Sequence, residues 1–538
     1  MKNPSDASPS LYRKIGIASL IMMASVFLSR VIGLVREMVI AWAGGTQTGV
    51  DAYQIAFVLP EILNHIVASG FLSVTFIPIF SRYLAENRET EGWRVFSVIM
   101  TCFGGLLLIL IAVGEWFAPE LISVLAPGLS DPMVRNEAIY MTRIILPAQF
   151  FFFTGGMLTA VQFAKERFAI PALAPLIYNA GIIIGGVLLY KRFGMSGFSW
   201  GVLAGAIAGN FLLQVWGARR CGMRFSFVMD LRHPDLIAYV RLTLPLMVGL
   251  TMTFSTEFFL KFFGSFMPEG SIAALNYSLR VMLILVGFFG QAVGVASYPF
   301  MARLAAENKI GEMNHLLNTT LRYLALVIPF SVLMMVLRHE IIRILFERGR
   351  FDAAATATTA GVLVFIMIGA FAFAAQTIVV RGYFAVQNTL FPAVYGTLAA
   401  VFSLPLYYFG MQILGAPGIG LAVSLAAMFQ VSLLYVLWNR KTHNPQCVNV
   451  YRFIFKISIL SAIMGIFLEG FRNIFLAVVP LFGMGAATFS GSLIISMATG
   501  LLFTALFILA GRLLGIREIS GTLGRVAGKL MPKKSAPR

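Results

Sequence analysis

The chain has 538 residues, 59% of them hydrophobic and only 12% charged, and its mean hydropathy is +0.85. Those values exclude an ordinary soluble globule and point to an all-α protein that crosses a membrane many times. The net charge of +18 would suggest nucleic acid in a soluble chain. Here the basic residues fall mainly in short segments between apolar runs, the positive-inside pattern, and no basic-aromatic module appears, so no nucleic-acid partner is expected. Cys102, Cys221 and Cys447 are scattered, with no CxxC and no nearby His, so neither a metal site nor a disulfide framework is expected.

A span needs about 20 apolar residues. Fourteen stretches qualify, beginning with 15–43 and 51–83, passing through 236–263 and 269–303, and ending with 451–472 and 490–513. The first holds Ser29-Arg30-Val31-Ile32-Gly33-Leu34-Val35-Arg36-Glu37. A charge at mid-membrane costs about 2.5–3.5 kcal/mol and survives only where it faces protein or water. This stretch is therefore expected to line a polar cavity. Arg30 and Glu37, seven apart, share a helix face, with Arg36 about 120° away.

Asp51 opens the second stretch, after a glycine-rich loop at 44–49 that lacks the Lys-Ser/Thr ending of a phosphate loop. It reads either as a carboxylate favoured by the helix dipole or as a gate partner for an arginine. His65 reads as packed or interfacial, against a proton relay. Glu61, Arg143, Arg241 and Arg381 lie near span ends, where long side chains snorkel. Glu37 and Glu257 read as neutralising neighbouring arginines. Arg280 sits inside the eighth stretch. Arginine keeps its charge, and its planar fork suits phosphate. Arg30, Arg36 and Arg280 converging on one cleft would hold a diphosphate. No Ser-His-Asp, HExxH or paired-carboxylate spacing marks an enzyme.

The sequence repeats internally. PIFSRYLAENR at 78–88 returns as PFMARLAAENK at 299–309, an offset of 221 (299 − 78). The same offset aligns 125–128 with 346–349, Phe163-Ala164 with Phe384-Ala385, Pro171-Ala172 with Pro392-Ala393, Gly197 with Gly418, and Arg219-Arg220 with Arg440-Lys441. This predicts a tail at 1–11 and two six-helix lobes in parallel topology at 12–222 and 223–443. Two extra spans at 444–515 and a basic tail at 516–538 follow. Parallel repeats imply a pseudo-two-fold axis along the membrane normal, substrate between the lobes and alternating access. The basic loops place both termini in the cytoplasm. Residues 338–350 alternate charge and apolarity at helical spacing, which predicts an amphipathic helix at the outer interface. The run 473–489, broken by Pro480 and Gly483, reads as re-entrant or as a loop.

SRVIGLVRE at 29–37, DAYQIAFVLPEIL at 51–63, FIPIFSRY at 76–83, APGL at 126–129 and LFERGRF at 345–351 resemble the MurJ/MviN lipid II flippases of the MOP transporter superfamily. The resemblance runs through most of residues 15–443. It implies a multi-pass inner-membrane flippase for undecaprenyl-pyrophosphate-linked peptidoglycan precursor, moved from the cytoplasmic to the periplasmic leaflet. Its functional arginines fall on Arg30, Arg36 and Arg280, and its acidic gate residue on Asp51. It further implies a tail groove in the last two spans, no cofactor, and drive from membrane potential or an ion gradient. The partners implied are membrane lipid, the lipid-linked pyrophosphate and the cell-wall synthesis machinery, around a monomer. Where the family carries a basic pair and then a glutamate, this chain has Asn64, His65 and Ser69, with Arg381 and His65 as secondary candidates to supply the missing charge. Rival cargoes are therefore O-antigen or exopolysaccharide lipid-linked oligosaccharides and, on an acidic cavity, drugs or cations.

Overall fold

The computed structural model describes residues 9–65, 71–478, 480, 485–513 and 515, all as helices and their connections, with no strand among them. The first half runs through α1 (Pro9–Gly44), α2 (Thr48–Ala56), α3 (Val58–Leu63), α4 (Phe71–Ala85), α5 (Glu89–Trp116), α6 (Ala118–Leu125), α7 (Pro132–Ile145), α8 (Ala148–Ala164), α9 (Ala169–Phe193) and α10 (Ser196–Gly205). A π-helical stretch, Ala206–Leu212, leads into α11 (Leu213–Arg220). The second half runs through α12 (Pro234–Gly264), α13 (Ser271–Val286), a second π stretch, Gly287–Gln291, and α14 (Ala292–Ala306). It continues with α15 (Ile310–Leu324), α16 (Val327–Val336), α17 (Arg338–Phe346), α18 (Ala353–Met367), α19 (Ala370–Ala385), α20 (Leu390–Phe402), α21 (Leu404–Leu414) and α22 (Ala416–Thr442). α23 (Cys447–Val478) and α24 (Phe489–Leu513) follow.

The 221-residue offset is written into the backbone. α4 becomes α14 residue for residue, and α7, α8 and α9 line up with α18, α19 and the α20–α21 pair. Residues with left-handed φ recur at the same offset: Asn87 and Asn308, Glu166 and Gln387, Gly194 and Gly415, Gly222 and His443. Left-handed backbone is costly for residues other than glycine, so four such pairs at one spacing mark turns of the same geometry after matching helices.

Among the described residues ten helices are long and apolar enough to cross a membrane, or eleven when α18 and α19, bent by 44°, form one span. The expectation of fourteen exceeds that count. The difference lies in α1, in α12, and in the second stretch, which breaks into the short helices α2, α3 and α4. Residues 473–478 continue α23, while most of 479–484 and both tails, 1–8 and 516–538, lie outside the described residues.

The chain packs as two compact units, Met1–Tyr277 with Arg348–Ala355, and Ser278–Glu347 with Thr356–Arg538. By packing, α12 thus belongs with the first repeat, although by sequence it opens the second. Four polar ties account for this. Asp235 accepts from Arg82 (2.7 Å) and Tyr83 (2.6 Å), Thr243 meets Thr75 (3.5 Å), Lys261 donates to Glu61 (3.0 Å), and Ser265 Oγ accepts from the Gly128 N–H (3.1 Å). The first unit's core gathers Phe76, Phe80, Trp93, Phe96 and Phe153 from α4, α5 and α8. Its α9 and α10 meet backbone to backbone, since a Cβ on Gly181 would lie 2.5 Å from the Gly205 Cα.

In the second unit α23 and α24 are the least covered spans, 22% and 17% buried. They lie on α15–α16 through Phe453 and Ile457 against Ala325 and Leu326, and through Met464, Leu468 and Phe503 against Val336. α17 corrects an expectation. Its polar face is not wholly open to its surroundings, because Glu340 is only 1% exposed and paired with Arg472 of α23.

Candidate functional site

α1 brings Arg30 and Arg36 onto one helix, six residues or about 9 Å apart along its axis. Arg36 is half-buried. Its Nη1 donates to Asn179 Oδ1 of α9 (3.0 Å), and its Nη2 to Glu37 Oε1 (2.6 Å). Asn179 is held in turn by the Pro175 carbonyl (2.8 Å). Two of five guanidinium N–H groups are thereby used, and three remain. Glu37 is buried and pairs with its immediate neighbour Arg36, although helical spacing puts it on the face of Arg30; its Oε2 has no partner among the described residues. Arg30 is exposed on the surface of its unit, with no hydrogen bond or ion pair among the described residues. In hydrocarbon such a charge would cost several kcal/mol.

Asp51 is buried, and both of its oxygens cap the start of α13, accepting from the Gly270 N–H (2.6 Å) and the Ala273 N–H (2.8 Å). One turn on, Gln54 accepts from the Asn276 amide, and the Tyr277 hydroxyl donates to the Gly45 carbonyl (3.2 Å). Residues 348–351 complete the clasp. The Arg350 N–H donates to the Trp42 carbonyl (3.0 Å), its guanidinium reaches Gln47 (3.3 Å) and covers the Tyr190 ring (5.3 Å), and Phe351 meets Tyr277 edge-on. Glycine is required where these segments touch. Gly270 has φ 82°, and a Cβ there would lie 2.2 Å from the Thr46 carbonyl oxygen.

The clasp is reciprocal between repeats. Gly128, after α6, packs against Ser265 at the end of α12, and Gly349, after α17, packs against Trp42 at the end of α1; a Cβ on either would sit 2.4 Å from backbone. The strap at 348–351 and Asn179 were not singled out from the sequence as site residues. The strap lies inside the LFERGRF motif, which is a usable signal, whereas a lone Asn in an apolar helix gives none.

The remaining candidates are dispersed. Glu61 forms an ion pair with the buried Lys261 instead of snorkelling alone. Glu257 lies near enough to His65 for its charge to act on the imidazole, and Asn64 closes α3 with its N–H on the Glu61 carbonyl. Ser69 lies outside the described residues. Arg280 is half-buried on α13, in the second unit. Arg381 of α19 lies against Gly294, with Nη1 buried and without a hydrogen bond among the described residues.

A family model described as lipid II flippase MurJ matches residues 40–509. The probable lipid II flippase MurJ of Buchnera aphidicola subsp. Baizongia pistaciae is 26% identical over 512 residues, covering 91% of this chain and 98% of its own. The lipid II flippase MurJ of Burkholderia cenocepacia is 25% identical over 437 residues, covering 80% and 84%. A solved lipid II flippase MurJ in an inward closed conformation matches with a TM-score of 0.71 at 24% identity, over 92% of this chain and 99% of that one. An inward-facing multidrug resistance MATE family transporter of the MOP superfamily matches with a TM-score of 0.65 at 13% identity, over 79% and 98%. The two structural likenesses speak for the fold. The family match takes in most of the sequence, and the chain therefore belongs to the MurJ family of lipid II flippases, membrane transporters and not enzymes.

Proposed function

We propose that this chain carries lipid II from the cytoplasmic to the periplasmic leaflet of the inner membrane by alternating access, and that Arg30, Arg36 and Arg280 hold the diphosphate. The observation that carries the reading is the unfinished bonding on α1: Arg30 has no partner among the described residues, and Arg36 keeps three donors after Asn179 and Glu37 have taken two. Guanidinium groups suit a diphosphate diester, which carries one negative charge on each phosphorus. Binding lowers the repulsion that keeps the arginines apart and favours closure around the cargo. Asp51 on the α13 N-terminus, with the 348–351 strap, is the outer gate, and its release opens the periplasmic side. Glu257 balances charge near His65.

In the same reading 12–222 and 223–443 are the functional lobes. α23–α24 guide the prenyl chain, which stays in lipid because burying each CH₂ is worth about 0.8 kcal/mol. Both termini are cytoplasmic. The protein works as a monomer beside the cell-wall synthesis machinery, uses no cofactor and draws on membrane potential or an ion gradient.

A second reading is favoured by one observation. With Asn64, His65 and Ser69 where the family carries charge, another lipid-linked oligosaccharide is the alternative cargo, with Arg381 as a compensating cation. One assay decides between them: proteoliposomes loaded with lipid II or with an O-antigen-type precursor, using the wild-type chain and Arg30→Glu, Arg36→Glu and Arg280→Glu. Flipping of lipid II that is lost in all three variants supports the proposal. Transport of the other precursor alone selects the alternative, and unchanged transport in all three variants removes the anion site.

A further inference from the structure

α17 and the α23–α24 hairpin share a closed network of charge inside the second unit. Glu340 accepts from Arg472 through Nε (3.0 Å to each oxygen) and Nη2 (2.9 Å), and the two residues are 1% and 5% exposed. Arg472 also reaches Glu469 (3.3 Å), which takes both terminal nitrogens of Arg338 (3.2 Å each). On the other side Arg343 donates to Ser492 at the start of α24 (3.0 Å) and to Glu347 (3.1 Å), which also accepts from the Thr356 hydroxyl (2.7 Å). Three arginines and three glutamates balance.

The internal repeat supplies a control. At the 221-residue offset Arg338, Glu340, Arg343 and Glu347 correspond to Phe117, Pro119, Ile122 and Ala126, with no charge among them. The first repeat builds the same short helix, α6, without these residues, so the helical repeat itself does not need them. What the second repeat has in addition is the hairpin. In lipid there is no hydrophobic drive to seat one apolar helix on another, and the contacts of α23 with α16 are apolar packing that carries no charge or hydrogen bond of its own. A desolvated forked ion pair defines one register, because breaking it strands a buried charge.

We propose that Glu340 and Arg472 are positioning residues for the prenyl chain: they lock α23–α24 onto α17, so that the hairpin moves with the second unit as one body and keeps the tail track aligned through the transport cycle. This rests on the reading of the hairpin as the tail track. The test uses the full chain with its three cysteines changed to serine and spin labels at Leu398 of α20 and Leu501 of α24, both exposed. In nanodiscs the wild-type background gives one narrow distance distribution, unchanged by lipid II. Glu340→Arg and Arg472→Glu each broaden it and slow lipid II flipping by about tenfold or more, while flipping of an analogue cut to a short prenyl group is kept. A merely structural defect slows both substrates.

The double exchange, Glu340→Arg with Arg472→Glu, restores the narrow distribution and long-tail transport. Should that variant not fold, Arg472→Lys, which keeps the charge and loses the fork onto Glu340, carries the same test: it broadens the distribution and slows the long-tailed substrate alone. Unchanged distances in the single variants, equal loss for long and short tails, or no restoration in a folded exchange variant overturns the proposal. If the wild-type chain flips no lipid-linked diphosphate while the distances behave as described, the transport reading falls and the clamp stands.

Discussion

Among the charge clusters of the described residues, two are finished differently. Around Glu340 and Arg472 every arginine meets a carboxylate, and the network closes on itself. Around Arg36 one guanidinium is half engaged, one carboxylate oxygen has no partner among the described residues, and Arg30 stands open. A saturated cluster spends its bonds on holding helices in place. An open one keeps them for something that arrives. The difference separates a structural device from a binding device without reference to any relative, because both are built from the same two residue types.

The contrast breaks most readily at its saturated end. Glu340→Ala should leave Arg472 buried without its main partner and lower stability by about 3–5 kcal/mol, read as the thermal midpoint in detergent; an unchanged midpoint would erase the distinction. A smaller effect belongs to the clasp. Asp51→Ala removes the acceptor of two N–H groups at the α13 N-terminus and should cost about 1 kcal/mol, with faster hydrogen exchange at Gly270 and Ala273. Protection there equal to wild type would show that Asp51 is not the cap that holds the outer side.

At the open end stability should scarcely move. Arg30→Gln is expected to stay within about 0.5 kcal/mol of wild type and yet lose lipid II transport. A large drop in the midpoint would mean that Arg30 is structural after all. The smallest effect is one of pH. Burial, with Arg338 and Arg472 nearby, holds His339 below its ordinary value of 6.5, so the folded protein favours the neutral ring. That contribution is intact above pH 6.5 and is lost as the pH falls through the lowered folded value, because the unfolded chain takes up the proton first. His339→Gln should flatten the acid side of the stability profile, and a profile matching wild type would assign the acid loss to other groups.

Much of the architecture was legible in the letters. The 221-residue register came from short chemical matches such as PIFSRYLAENR and PFMARLAAENK, and helix ends and left-handed turns follow it. Arg30, Arg36 and Asp51 stood out because charge is rare in such apolar surroundings. Asn179 did not, since a neutral amide costs little and shows no period. The amphipathic pattern of α17 says that a face is polar and is silent on whether water, headgroups or another helix will meet it, and Arg472 of α23 meets Glu340. The repeat puts α12 in the second lobe, whereas its packing follows Arg82, Tyr83 and Glu61, whose partners are not readable from their own positions.

Read as letters alone, the chain is already a helical membrane protein, already doubled, and already marked with charges that must have a reason to be there. These are local or periodic properties, set by hydrophobic run length, by spacing and by the cost of an ion in hydrocarbon. Which charges are satisfied is a matter of the folded chain. Pairing depends on atoms brought together across 132 residues for Glu340 and Arg472, or 143 for Arg36 and Asn179, and no local pattern encodes it.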